Sequence, residues 1–234
     1  MGGVLVAHQP AYLPWPGYFS RLTDADELVL LDHVQFTERG WQNRNYIRGT
    51  PGPLRITVPV RRRFGQRITD TRIADTAWAG RHWRSLVQTY GRAPYWPEHG
   101  EALGAVYRTP WTHLADLNAA LLRLLLDSFG LPMAMVRTSD LPPAGRQTDM
   151  LIDLCRQRGA TRLRVGTGAL AYLDHRLLAD RAITVEVATY SHPPYGSAPG
   201  WQPGLSALDL LLHEGPNAAS ILRAGARTET KDSA

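Results

Sequence analysis

Apolar residues fall into short runs separated by prolines, glycines and polar loops, and their spacing predicts alternating strands and helices. Residues 3–7 (GVLVA) read as a buried strand. The loop HQPAYLPWP follows, where Pro10, Pro14 and Pro16 forbid a regular helix. A helix can start over residues 17–22, and residues 27–31 (ELVLL) read as a second buried strand ending at Asp32. Residues 54–60 and 67–73 alternate like half-buried strands and predict a hairpin around RRRFGQ. Helical spacing returns over 78–90, where Trp83, Leu86, Val87 and Tyr90 share a face, and again over 101–107 and 113–129. Strands at 133–136, 162–165 and 183–187 then alternate with helices at 148–158 and 173–180, before a last helix at 205–212. This rhythm predicts an α/β fold with a parallel or mixed sheet flanked by helices. A helical insertion spans about 78–130, residues 1–226 form one domain, and 227–234 form a frayed tail.

Composition narrows the class. The 234 residues are 44% hydrophobic and 20% charged, enough to bury a core. No run approaches roughly 18 consecutive apolar residues, so no membrane span is expected. MGGVLVAHQP lacks the basic start and the long apolar run of a signal peptide, so a cytoplasmic protein is expected. A single cysteine, Cys155, excludes an internal disulfide and any Cys-rich metal site. The net charge is +5, carried almost wholly by arginine, since Lys231 is the one lysine. A basic surface attracts phosphates or an acidic protein. Nucleic acid is disfavoured as a partner, because there is no zinc-finger spacing, RNP-type aromatic pattern or long basic helix.

Several segments can carry chemistry. His8 and Gln9 directly follow the first strand, at the strand end where open α/β sheets bind ligands. Tyr12, Trp15 and Tyr18 would add aromatic walls with polar tips. A rigid loop packed on the core explains the same residues. Asp32 ends the second strand and can orient His8 as a base. Gln35, Trp41, Asn43 and Arg44 suit a sugar, nucleotide or amide-bearing ligand, or form an exposed polar loop. VGTGALAYLD, with Gly166, Gly168 and Tyr172, can present backbone N–H groups to an anion, or is a plain strand-to-helix turn. It matches neither G-x-G-x-x-G nor the Walker pattern, so no cofactor is expected. Cys155 sits late in a helix, which favours a buried structural thiol, and it can be a nucleophile only if exposed. His192, in SHPPYG, is a further Pro-fixed polar position. No His and carboxylate pair has metal-ligand spacing such as H-E-x-x-H, so no metal is expected.

Taken in order, HQPAYLPWPGYF, ADELVLLDHVQF, GWQNRN, LRITVPV, HWRSLVQTYGRAPYW, LCRQRGATR with GTGALAYLD, and SHPPYG with LSALDLLLHEGP resemble the WbqC-like family over about residues 5–217. Two positions depart from that resemblance. The Gly-rich turn reads Val165-Gly166-Thr167-Gly168 instead of starting SG, and His33 stands where many members have a second acidic residue. The resemblance implies a biosynthetic setting in surface-polysaccharide, including O-antigen, or natural-product pathways. The reading carried forward is acyl or aminoacyl transfer from an acidic acyl or peptidyl carrier protein to an amine, such as that of an amino sugar. In it His8 deprotonates the amine, Asp32 orients His8, and Asn43 and Arg44 bind acceptor or phosphopantetheine. A nucleotide-dependent ligase or nucleotidyltransferase is the first alternative, although Tyr18 after Gly17 leaves out the second histidine of an HxGH pattern. A non-catalytic binding protein of a biosynthetic assembly is the second.

Overall fold

A computed structural model describes residues 2–196 and 200–231. Strand β1 (Gly3–His8) leads through the short helix α1 (Pro16–Ser20) to β2 (Glu27–Leu30). Strands β3 (Arg44–Ile47) and β4 (Leu54–Thr57) come next, followed by helices α2 (Ala77–Tyr90), α3 (Trp96–Arg108) and α4 (Leu114–Ser128). The chain continues through β5 (Ala134–Arg137), α5 (Gln147–Arg158), β6 (Ala160–Gly166), α6 (His175–Ala179) and β7 (Thr184–Tyr190). It ends with α7 (Ala207–Glu214), α8 (Ala218–Gly225) and β8 (Ala226–Lys231).

The main sheet has the order β5-β2-β1-β6-β7-β8. Its first five strands are parallel and β8 runs antiparallel to β7. The protein is therefore α/β with a mixed sheet flanked by helices, and the three helices between β2 and β5 are the expected insertion. Alternate strand residues feed two apolar layers. Val6, Leu28 and Leu30 pack with α1, the insertion and α7–α8, whereas Leu5, Val29, Leu163, Val165, Val185 and Val187 pack with α5 and α6. Both faces being covered explains why β1 and β2 read as nearly unbroken apolar runs, whereas β6 and β7 place Arg164 and Glu186 on the face that holds their ion pair.

One buried ion pair ties the strands to the loops above them. The Arg164 side chain of β6 gives its Nε–H to Glu186 of β7 at 2.8 Å, and both side chains are under one-tenth exposed. Its Nη1 donates to the carbonyls of Arg21 and Thr23, in the turn that follows α1.

Several expectations are corrected. The 54–60 segment does not form a hairpin with 67–73. Its strand β4 pairs antiparallel with β3, from Arg44↔Thr57 to Ile47↔Leu54. Pro59 has no N–H to extend that ladder, so 67–73 meets the segment only at the Val60↔Ile73 bridge and the Arg61–Arg72 backbone bond. On α2 the buried stripe is Trp78, His82, Leu86 and Tyr90, and Val87 is exposed. The helix expected over 101–107 starts earlier, at Trp96, because Pro97 sits in its first turn, where its missing N–H has no intrahelical partner to lose. The supposed tail forms β8 over Ala226–Lys231, a polar edge strand held by backbone bonds to β7, while residues 232–234 of that tail lie outside the described residues.

Glu186→Ala strands Arg164 as a buried cation. It should cost about 3–5 kcal/mol in urea denaturation. Glu229→Ala, which removes only the exposed pair with Lys231, should cost less than about 1 kcal/mol.

Candidate functional site

The strand order reverses between β1 and β6: the chain winds outward through β2 and β5, then crosses back to β6 and β7. In open α/β sheets the connections diverge at such a reversal, and ligands bind in the crevice outside the carboxyl ends of the two strands. His8 ends β1 and Gly166 ends β6. Because side chains alternate, Val6 and His8 point to the face that α1 covers, and so do Arg164 and Gly166.

The His8 ring stands edge-on to Tyr18, with centroids 4.6 Å apart. Its Nδ1 lies 2.9 Å from the Gln9 carbonyl, which can only accept, so Nδ1 carries the proton and Nε2 is the lone-pair nitrogen. Burial, reinforced by the nearby Arg21 charge, lowers the His8 pKa from 6.5 to about 3, against the opposing Gln9 hydrogen bond. The imidazole is therefore neutral at physiological pH. Burial raises the pKa of Tyr18 and lowers that of Arg21. The Arg21 guanidinium lies flat against the end of β6: a Cβ added to Gly166 would sit 2.9 Å from an Nη atom. Glycine at 166 is thus what lets the arginine occupy this place.

One step along the same face, Trp15 meets Tyr190 (5.7 Å) and His192 (5.5 Å), and these two rings lie 5.0 Å apart. His192 Nε2 accepts from the Gly204 N–H at 3.1 Å, which puts the ring proton on Nδ1. Tyr190, whose hydroxyl burial holds at a pKa of about 12, ends β7. The structure thus gathers His8, Gln9, Trp15, Tyr18, Gly166 and His192 along one edge and adds two residues that sequence reasoning missed, Arg21 and Tyr190. The i, i+3 spacing of Tyr18 and Arg21 was the one available signal for the former.

Other expected members lie elsewhere. Asp32 does not orient His8. Its carboxylate accepts from Arg137 Nε at 2.6 Å, from Thr138 Oγ1 at 3.0 Å and from the Ser139 N–H at 2.8 Å, because β5 pairs with β2 on the side away from β1. Cys155 is fully buried among Leu154, Leu163 and Leu5 on the opposite face of the sheet, and burial lifts its thiol pKa to about 12. It is not an accessible nucleophile. Tyr12 is no wall of the crevice: its hydroxyl lies 2.8 Å from His82 Nδ1 and 2.6 Å from Tyr107 Oη, inside the insertion core. Asn43 is buried and donates to the Val58 carbonyl. Arg44 donates to the Arg39 carbonyl. Gln35 is exposed and bridges to Arg67, Trp41 is exposed beside Tyr46, and Gly168 and Tyr172 are exposed in the turn after β6. A cleft of about 1090 Å³ lies between the 49–54 loop, α2 and His213, and none of the expected site residues lines it. Among the described residues, no group of three His, Cys, Asp or Glu is placed to hold a metal ion, and no helix is long and apolar enough to cross a membrane.

Residues 9–221 match the WbqC-like protein family. The chain belongs to that family. The match takes in nearly the whole of this WbqC-like chain, β6 included, and begins one residue after His8. The chain is also 34% identical over 222 residues to the "Uncharacterized protein Rv1507c" of Mycobacterium tuberculosis, covering 92% of this chain and 95% of the relative.

Two predictions follow from these environments. Native protein should resist iodoacetamide at Cys155, and alkylation should appear only on denaturation, read by intact mass. His82 is buried, accepts from Tyr12 at Nδ1, and has its pKa lowered by burial from 6.5 to about 4. The unfolded chain therefore binds the proton first, so the stability contributed by neutral His82 is complete above pH 6.5 and is lost as pH falls toward 4. His82→Gln should flatten that part of the stability–pH curve in denaturant titrations.

Proposed function

We propose that this WbqC-like protein is a biosynthetic transferase that moves an acyl or aminoacyl group directly from a carrier-protein thioester to an amine, with no acyl-enzyme intermediate. The observation that carries this reading is the neutral His8 imidazole at the switch crevice, with Nδ1 tied to Gln9 and Nε2 left as acceptor. The amine nitrogen bonds to the thioester carbon, and His8 Nε2 takes the proton that the nitrogen then sheds. The tetrahedral adduct breaks its C–S bond, and the departing thiolate recovers that proton from His8. An imidazole depressed by burial and by Arg21 is a weak base in the empty site. An anion beside Arg21 would offset that charge and raise its basicity.

The carrier protein is the proposed donor partner, and charge supports it. A hollow of about 400 Å³ is lined by Arg61, Arg62, Arg63, Arg72 and His113, with Asp70 as its carboxylate. Phe64, next in the chain after Arg63, stands fully exposed. This segment is bound to the carboxyl end of β2 through the Thr69 N–H to the Asp32 carbonyl, on the same edge of the sheet as His8. An acidic carrier would be steered to it.

The test is mass spectrometry of acyl- and aminoacyl-loaded carrier proteins incubated with amino sugars and other amines. Transfer should occur with wild type and with Cys155→Ala. His8→Gln should lower kcat by about 10²–10⁴-fold. Absence of transfer from every loaded carrier would remove the reading. The double charge reversal Arg61→Glu/Arg63→Glu should raise KM for the carrier and leave kcat unchanged.

A further inference from the structure

Among the described residues the buried arginines Arg48 and Arg164 are paired, and the partly buried Arg21 is not. Arg48 gives two hydrogen bonds to Asp209, at 2.9 and 2.8 Å. Arg164 pairs with Glu186 at 2.8 Å and gives its Nη1 to two backbone carbonyls. Arg21 is partly buried, and among the described residues its guanidinium makes no ion pair and no hydrogen bond, with its Nε out of reach of water. A guanidinium does not shed its proton in a protein, so burial without a counter-charge is costly. The position is also built rather than accidental. Arg164 grips the Arg21 carbonyl from below, and the bare backbone of Gly166 leaves room for the side chain.

Nearby donors share this condition. The Tyr190 hydroxyl and the His192 Nδ1–H are buried and have no partner. Gly166 pairs with Ala188 in the sheet, so Tyr190, two residues on, projects from the same face just beyond the Arg21 site. A cation and two orphaned donors on one edge lack the same thing, an acceptor bearing negative charge.

We propose that Arg21 anchors an oxyanion subsite of the crevice, assisted by Tyr190 and His192, that takes the phosphate or carboxylate of the small-molecule ligand. The subsite rests on the reading of the crevice as the ligand site, and it places the anion next to His8, so the acceptor amine and the anion belong to one molecule. A nucleotide-linked amino sugar would present phosphate, and an amino acid would present carboxylate.

Thermal unfolding and calorimetric titration at constant ionic strength test this with sodium phosphate, pyrophosphate, acetate and chloride. Wild type should be stabilised by an oxyanion beyond the chloride control. A larger effect of phosphate or pyrophosphate assigns a phosphoryl ligand, and a larger effect of acetate assigns a carboxylate. Arg21→Met should unfold at the same temperature as wild type or higher without added oxyanion, because no internal partner is lost. Its affinity for the oxyanion should fall at least about ten-fold, with Arg21→Lys intermediate and Tyr190→Phe weakened. The proposal is overturned if no oxyanion exceeds chloride, if Arg21→Met keeps the full response, or if Arg21→Met is destabilised or unfolded, which would make the arginine structural. The salt response needs no acyl donor. Oxyanion binding without acyl transfer would refute the proposed reaction alone, and transfer without oxyanion binding would refute the subsite alone.

Discussion

Arg164 holds together the parts of the molecule that have to agree. It leaves the sheet from β6, meets Glu186 on β7, and reaches up to the carbonyls of Arg21 and Thr23. One side chain thus joins neighbouring strands to the turn that returns the chain from α1 to β2. Charge burial of this kind is tolerable only when every donor has an acceptor. The price is a rigid turn that can move only if the ion pair opens. The Arg21 backbone inherits that rigidity, which fixes the base from which its side chain reaches the end of β6.

The crevice follows from the winding of the sheet. Reversal of strand order between β1 and β6 sends the following connections in opposite directions and exposes the strand ends between them. The first loop is then pinned from several sides. The Tyr12 N–H donates to the Trp41 carbonyl, Asn45 Nδ2 reaches the Tyr12 and Leu13 carbonyls, and the Pro14 carbonyl accepts from the Ala207 N–H. The insertion contributes Tyr107 and His82 to hold the Tyr12 side chain. Residues expected to touch ligand, Tyr12 and Asn43, instead fasten the loop that carries His8 and Gln9. Burial also keeps His8 and His82 uncharged, but with different consequences: His82 is saturated by its neighbours, while His8 keeps one nitrogen open.

Much of the fold was legible because periodicity and burial are linked. The runs GVLVA and ELVLL pack on both faces and so stay apolar at nearly every position, and Gly130 and Gly159 end their helices in left-handed conformations. β3 and β8 were illegible. RNYI and ARTETK carry too few apolar residues, and their strand character comes from backbone pairing with a neighbour that spacing cannot reveal. On α2 the apolar positions allowed two adjacent stripes, and contact with the Tyr12 network selected the one containing His82.

The sequence alone determined the alternation of strands and helices, the place of the helical insertion, and the position of His8 at a strand end, because each depends on local spacing and on residues a few positions apart. Tertiary structure decided which groups face one another. It turned Asp32 toward β5, sealed Cys155 between α5 and the sheet, and laid Arg21 against Gly166, 145 positions along the chain. Strand order is set by packing across the whole sheet, and two residues at strand ends become neighbours or strangers according to that order.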